Sequence, residues 1–223
     1  MDKISISERT GILMNNTIIM SVIISFAICV ILGPVVIPFL RRLKVGQTVR
    51  DEGPKSHLKK SGTPTMGGII ILVSVVVTSL LYVRDYPKII PILFLTLGFG
   101  LIGFLDDYIK VVLKRSMGLR AWQKMLLQII VTGVFAYYLI HYTDVSLAMR
   151  IPFWPGHYLD LGVLAVPAMF FIIIATVNGT NFTDGLDGLA SSVTVMVATF
   201  FSVVAIGTNS GVEPITCAVV GAL

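Results

Sequence analysis

The sequence predicts an all-α fold, a polytopic bundle of membrane-spanning helices, and three observations predict it. Hydrophobic residues make up 55% of the 223 and charged residues only 13%, about half the charged share of ordinary soluble domains. Mean hydropathy is +0.89, too high for a disordered chain, which needs low hydropathy and high charge. The apolar residues also gather into long runs near the ~20 residues that a helix needs to cross the hydrocarbon of a bilayer. These runs lack the alternation of barrel strands.

Six spans follow in order, at 17–40, 66–83, 89–105, 125–142, 161–177 and 189–206, and a seventh apolar run starts at Pro214. The first is not a signal peptide: its apolar stretch is too long, no basic region adjoins its start, and charges follow it directly. The second starts at a Gly67-Gly68 pair. The aromatic-rich segment 141–160, with Phe153, Trp154 and Tyr158 among prolines, reads as an interfacial belt around a tight turn. Cys29 and Cys217 both lie in apolar runs and form neither a disulfide framework nor a CxxC site. His57, His141 and His157 are scattered, so no zinc-type cluster is present.

Charge sets the sidedness. Segments 41–65 and 106–124 hold twelve of the seventeen Lys and Arg residues. By the positive-inside rule these two segments face the cytoplasm and the N-terminus lies outside. Counting spans puts 178–188 on the inside too. On that side the sequons at Asn178 and Asn181 are not glycan acceptors, so another reason for them is needed. Nucleic-acid binding is excluded, because the basic residues are confined to short loops at a membrane surface.

The three inside segments hold the unusual polar residues: GPKSHLKKSGTPTMGG at 53–68, FLDDYIK at 104–110 and NGTNFTDGLDGLA at 178–190. A carboxylate at mid-bilayer costs about 2.5–3.5 kcal/mol on insertion scales, so four would cost on the order of 10 kcal/mol. Asp106, Asp107, Asp184 and Asp187 are therefore expected at the cytoplasmic mouths of their spans. Asp106 and Asp107 are consecutive and point about 100° apart on a helix. One can meet a metal or substrate while the other faces elsewhere, and the sequence does not say which. Asn178, Asn181, Asp184 and Asp187 step by three, with Thr183 expected to cap a helix carrying the two acids. Oxygen ligands without His or Cys suit a hard cation such as Mg²⁺. Lys55, Lys59 and Lys60 beside a Gly-Thr-Pro-Thr turn suit phosphate, whereas Arg41, Arg42 and Lys44 read as topology signal and anionic-lipid contact. Such a set points to joining a soluble phosphorylated substrate to a lipid one. Both partners are anionic, so charge neutralisation and alignment are the main task.

These three runs, in this order and spacing, closely resemble the phospho-N-acetylmuramoyl-pentapeptide transferase family. The resemblance implies a bacterial inner-membrane enzyme with its site in a cytoplasmic cleft. Such enzymes have ten spans and typically form homodimers. It implies transfer of phospho-MurNAc-pentapeptide from UDP-MurNAc-pentapeptide to undecaprenyl phosphate, with Mg²⁺ and release of UMP, in peptidoglycan synthesis. By the same resemblance Asp106 and Asp107 match the catalytic pair, one of them also a metal ligand. Lys60, Thr65, Lys124, Asn178, Asn181 and Asp184 match substrate-site positions, and Gly185, Leu186 and Asp187 match the nucleoside pocket. The family pattern continues past the position of Leu223 with a further metal-binding Asp and a His-rich motif. Residues 1–223 are accordingly expected to be one integral membrane domain, the N-terminal part of a longer protein. Two other readings compete: a transferase that uses UDP-GlcNAc, and an ion-coupled membrane transporter, which would carry its acids near the midplane.

Overall fold

The computed structural model describes residues 6–42, 66–113, 118–151, 154, 156–184 and 188–223. Seven α-helices account for most of them: α1 (Ile6–Arg42), α2 (Gly68–Tyr82), α3 (Ile89–Val111), α4 (Ala121–Tyr142), α5 (Ala165–Thr183), α6 (Leu189–Thr208) and α7 (Glu213–Ala222). A two-residue antiparallel ribbon, Met149–Arg150 with Tyr158–Leu159, lies between α4 and α5, where the sequence predicts only a turn.

Among the described residues five stretches are long and apolar enough to cross a bilayer: Asn16–Arg42, Ile89–Val111, Ala121–Tyr142, Gly162–Thr183 and Leu189–Thr208. Large apolar side chains point away from the protein along them, among them Phe26, Ile31, Phe171, Met196 and Phe200. In water such a surface would not persist; against lipid tails it carries no penalty. The chain is an integral membrane protein. The expected second span is a helix of 15 residues, about 22 Å long at 1.5 Å per residue and so shorter than the hydrocarbon core. The expected seventh run is likewise a helix, of 10 described residues.

Helices consecutive in sequence run antiparallel, and single contacts fix the register. A Cβ on Gly100 of α3 would meet Leu72 of α2 at 3.1 Å, and one on Gly98 would meet Val131 of α4 at 2.7 Å. Gly133 of α4 faces Phe170 of α5. At the opposite end Gly211, before α7, lies against Lys88, before α3. The start of α2, the end of α3, the start of α4 and the end of α5 therefore share one end of the bundle. That alternation is the one the charge pattern requires.

The tightest packing joins α1, α2 and α7. Ser25 of α1 donates to the Ala218 carbonyl of α7, and Ser74 of α2 donates to the Ser25 carbonyl. Ser25 and Ser74 are fully buried. Between helices in lipid, where no hydrophobic force acts, small residues and interhelical hydrogen bonds supply the attraction. Gly221 of α7 sits so close to the Val22 carbonyl of α1 that any Cβ there would overlap it. Ile89, Leu93, Val75 and Ile215 form the apolar core next to this crossing.

Candidate active site at the helix mouths

Asp106 and Asp107 lie on the last turns of α3, which runs to Val111, beyond the predicted span end at 105. The pair divides as consecutive helical residues must. Asp106 is 7% exposed. Its Oδ2 accepts from Lys110 Nζ at 2.5 Å, and its Oδ1 accepts the Leu119 backbone N–H at 2.8 Å. Both oxygens are thus engaged inside the protein. Gly118, at φ +59°, makes this approach possible: a side chain there would collide with Asp106 Oδ1 and Lys110. Asp106 in this way ties the α3–α4 turn to α3. The start of α4 is closed by Gln123, whose Oε1 accepts the Arg120 N–H at 3.0 Å.

Asp107 faces the other way. Its side chain is 43% exposed, and Lys110 Nζ stands 3.7 Å from its Oδ1. The charges of Asp106 and Asp184 both act on it repulsively. The end of α5 therefore brings a second carboxylate to the same mouth.

The α4–α5 contact supplies the amides. Lys124 Nζ donates to Asn181 Oδ1 at 3.1 Å. One turn deeper, Asn178 Nδ2 donates to Gln128 Oε1 at 2.8 Å, and Gln128 Nε2 donates back to Asn178 Oδ1 at 3.4 Å. Asn178 Nδ2 also donates to the Ile174 carbonyl at 2.8 Å. Helix α5 runs to Thr183, so Asn178 and Asn181 are helical rather than part of a loop. Thr183 does not cap a following helix: it ends α5, and its hydroxyl donates to the Gly179 carbonyl. Asp184 is the residue where the helix stops, with φ −78° and ψ 45°, and it is exposed. The next helix starts after Gly188, at φ +80°. A descending sequence of three-residue steps cannot continue as one helical face across this break.

Asp106, Asp107, Lys124, Asn178, Asn181 and Asp184 are thus gathered at one end of α3, α4 and α5. Lys60, Thr65, Gly185, Leu186 and Asp187 lie outside the described residues. Residues the sequence reading left out are Lys110, Gly118 and Gln128. Their signals were present: a Lys four residues after Asp106, and a Gln in an apolar span four residues after Lys124. Among the described residues no group of three or more His, Cys, Asp or Glu converges as a metal site. Asp107, 43% exposed, has the donor chemistry of Mg²⁺, which takes one or two carboxylates and completes its shell from substrate phosphate and water.

A family model described as glycosyl transferase family 4 matches residues 89–223. Residues 60–72 match the phospho-N-acetylmuramoyl-pentapeptide-transferase signature 1. A phospho-N-acetylmuramoyl-pentapeptide-transferase of Acetivibrio thermocellus is 54% identical over 184 residues, covering 82% of this chain and 55% of the relative. The enzyme of the same name from Caldicellulosiruptor bescii is 50% identical, covering 84% and 58%. That from Bacillus subtilis is 44% identical, covering 95% and 66%. The chain thus spans somewhat under two thirds of the length of these relatives. It belongs to glycosyl transferase family 4 and carries the phospho-N-acetylmuramoyl-pentapeptide-transferase signature 1 at residues 60–72.

Proposed function

We propose that the protein transfers phospho-MurNAc-pentapeptide from UDP-MurNAc-pentapeptide to undecaprenyl phosphate, releasing UMP, at the cytoplasmic face of a bacterial inner membrane. The observation that carries the reading is that Asp107 on the last turns of α3, Lys124 at the start of α4, and Asn181 and Asp184 at the end of α5 share one mouth of the bundle. The signature-bearing start of α2 lies at that same end.

The step forms one bond and breaks one. An oxygen of the lipid phosphate bonds to the sugar-bearing phosphorus of the nucleotide, and the bond from that phosphorus to UMP breaks. A phosphate monoester is largely dianionic at neutral pH, so bringing two anions together is the main barrier. Lys124, four residues before a buried Gln and already turned toward Asn181, offers its ammonium to a phosphate; Lys60 is assigned the same task. Asn181 offers an amide to the nucleotide, and Gly185, Leu186 and Asp187 are assigned to the nucleoside pocket by the family resemblance. Asp107 is the carboxylate of the pair with an open side, and it orients the attacking lipid phosphate. Asp106 holds Lys110 and the α3–α4 turn in place. Asp107 and Asp184 would hold Mg²⁺, which when bound screens phosphate charge. Mg²⁺ dependence and a homodimer form part of the proposal.

UMP release in lipid vesicles by the full-length protein tests it. Release should require both substrates and Mg²⁺, and UDP-GlcNAc should not replace UDP-MurNAc-pentapeptide. Release with UDP-GlcNAc alone would move the assignment to the related sugar-phosphate transferases. The transporter reading is disfavoured because Asp106, Asp107 and Asp184 lie at helix ends, not at mid-span.

A further inference from the structure

Gln128 has no role in the reaction just described, yet it is the largest polar side chain at full burial in α4. Its exposure is 0%, and it stands within an apolar span. A primary amide in that setting costs free energy unless its donors and acceptor are met. Asn178 meets the acceptor and one of the two donor hydrogens by a reciprocal pair of hydrogen bonds. Asn178 in turn spends both hydrogens of its Nδ2 inside the protein, on Gln128 and on the Ile174 carbonyl. It has no donor left for a ligand.

The placement of this pair matters for the mouth above it. Asn178 and Asn181 are three apart on α5 and share a face. Gln128 and Lys124 are four apart on α4 and share a face as well. The two contacts therefore stack, the amide pair inward and Lys124–Asn181 outward. Whatever fixes the rotation of α5 at Asn178 also fixes the direction of Asn181 one turn away. Few other contacts do so: the windows of α4 and α5 that cross the membrane are mostly turned outward.

We propose that Gln128 is a positioning residue, and that Asn178 is its partner instead of a substrate ligand. The buried amide pair locks α5 in rotation and so presents Asn181 and Asp184 to the nucleotide. The kinetic part of this proposal rests on the transferase reading; the structural part does not.

The test uses the full-length protein with Gln128→Leu, Asn178→Leu, the double variant, and the swap Gln128→Asn with Asn178→Gln. One interhelical hydrogen bond in a bilayer corresponds to about three- to tenfold in an equilibrium. Gln128→Leu should raise KM for UDP-MurNAc-pentapeptide by about that factor with kcat nearly unchanged, as expected when positioning of a binding group is lost. The double variant should be no worse than either single one, and the swap should restore the wild-type KM. A second readout needs no activity. Cysteines at Lys124 and Asn181, with Cys29 and Cys217 replaced by Ser, should be joined by a short bis-thiosulfonate reagent. The yield should fall with Gln128→Leu and recover in the swap. If Gln128→Leu does not fold, Gln128→Met serves in its place. Loss of binding by Asn178→Leu far beyond that of Gln128→Leu, with the two effects multiplying in the double variant, would overturn the proposal. So would an unchanged cross-link yield. If wild type releases no UMP, the transferase reading fails, and the cross-link arm still decides the role of the pair.

Discussion

Replacing Asp107 with Asn separates chemistry from stability more sharply than any other change at the mouth. The substitution keeps shape and removes one charge. Against stability it loses the Lys110 contact at 3.7 Å, a half-exposed pair worth about 0–1 kcal/mol. In favour it removes a charge that partial burial disfavours and that Asp106 and, more weakly, Asp184 repel. These effects oppose the Lys110 contact and are small in a partly solvated site, so the thermal midpoint should move little. Turnover should fall by roughly 10²–10³, the usual cost of removing one preorganised group that acts on developing charge. Nucleotide binding should change far less, because the proposed reaction has Asp107 orient the lipid phosphate and not the nucleotide. Asp106→Asn is the contrast. That side chain is buried and holds Lys110 and the Leu119 N–H. The amide oxygen can still accept from Leu119, but the ion pair is lost. With Lys110 able to reach water, the cost is about 1–3 kcal/mol, and the α3–α4 turn loosens. Turnover falls here too, together with the thermal midpoint. UMP release and thermal unfolding, measured on the same vesicle preparations, read both quantities. The reasoning fails if Asp107→Asn keeps wild-type turnover, or if it destabilises the protein as much as Asp106→Asn does.

Three further outcomes are expected. Lys124→Ala should raise KM for the nucleotide about tenfold or more, since a charge-assisted hydrogen bond is worth about 1.5–3 kcal/mol, and Lys60→Ala should do the same; substrate titrations of UMP release check both. Gly221→Val should cost about 3 kcal/mol or more, because the new side chain overlaps the Val22 carbonyl and neither backbone can yield; the yield of folded protein in detergent, by size-exclusion chromatography, checks it. Chelating Mg²⁺ should abolish UMP release while helix content by circular dichroism stays unchanged, since among the described residues the fold is held by packing and hydrogen bonds.

Much of this architecture was legible because lipid imposes simple demands. Apolar runs of span length became helices, and the Lys and Arg asymmetry agreed with the antiparallel order seen from Gly100–Leu72 to Gly211–Lys88. Span ends were less legible. Hydropathy stops at the first polar residue, whereas α3 carries Asp106 and Asp107 in its last turns and α5 carries Asn178 and Asn181. A helix continues as long as its backbone hydrogen bonds are met, whatever the polarity of the side chains at a mouth. The Thr183 cap differs for a related reason: the periodic spacing of Asn178, Asn181, Asp184 and Asp187 resembles one helical face, but the helix that carries the two Asn residues ends at Thr183 and Asp184 has left helical geometry. The unequal surroundings of Asp106 and Asp107 needed coordinates, since they depend on the Leu119 N–H thirteen residues away. Gln128 was missed because a lone Gln in a span carries no meaning until its partner across the helix pair is known.

Substrate protection of a cysteine at Asn181 tests the central claim most directly. In inside-out vesicles of the full-length protein, a membrane-impermeant maleimide should label this cysteine, and saturating UDP-MurNAc-pentapeptide should block the labelling. In right-side-out vesicles the same reagent should not reach it. Labelling from the outer face, or labelling indifferent to the nucleotide, would contradict a substrate pocket built by α3, α4 and α5 at the inner leaflet.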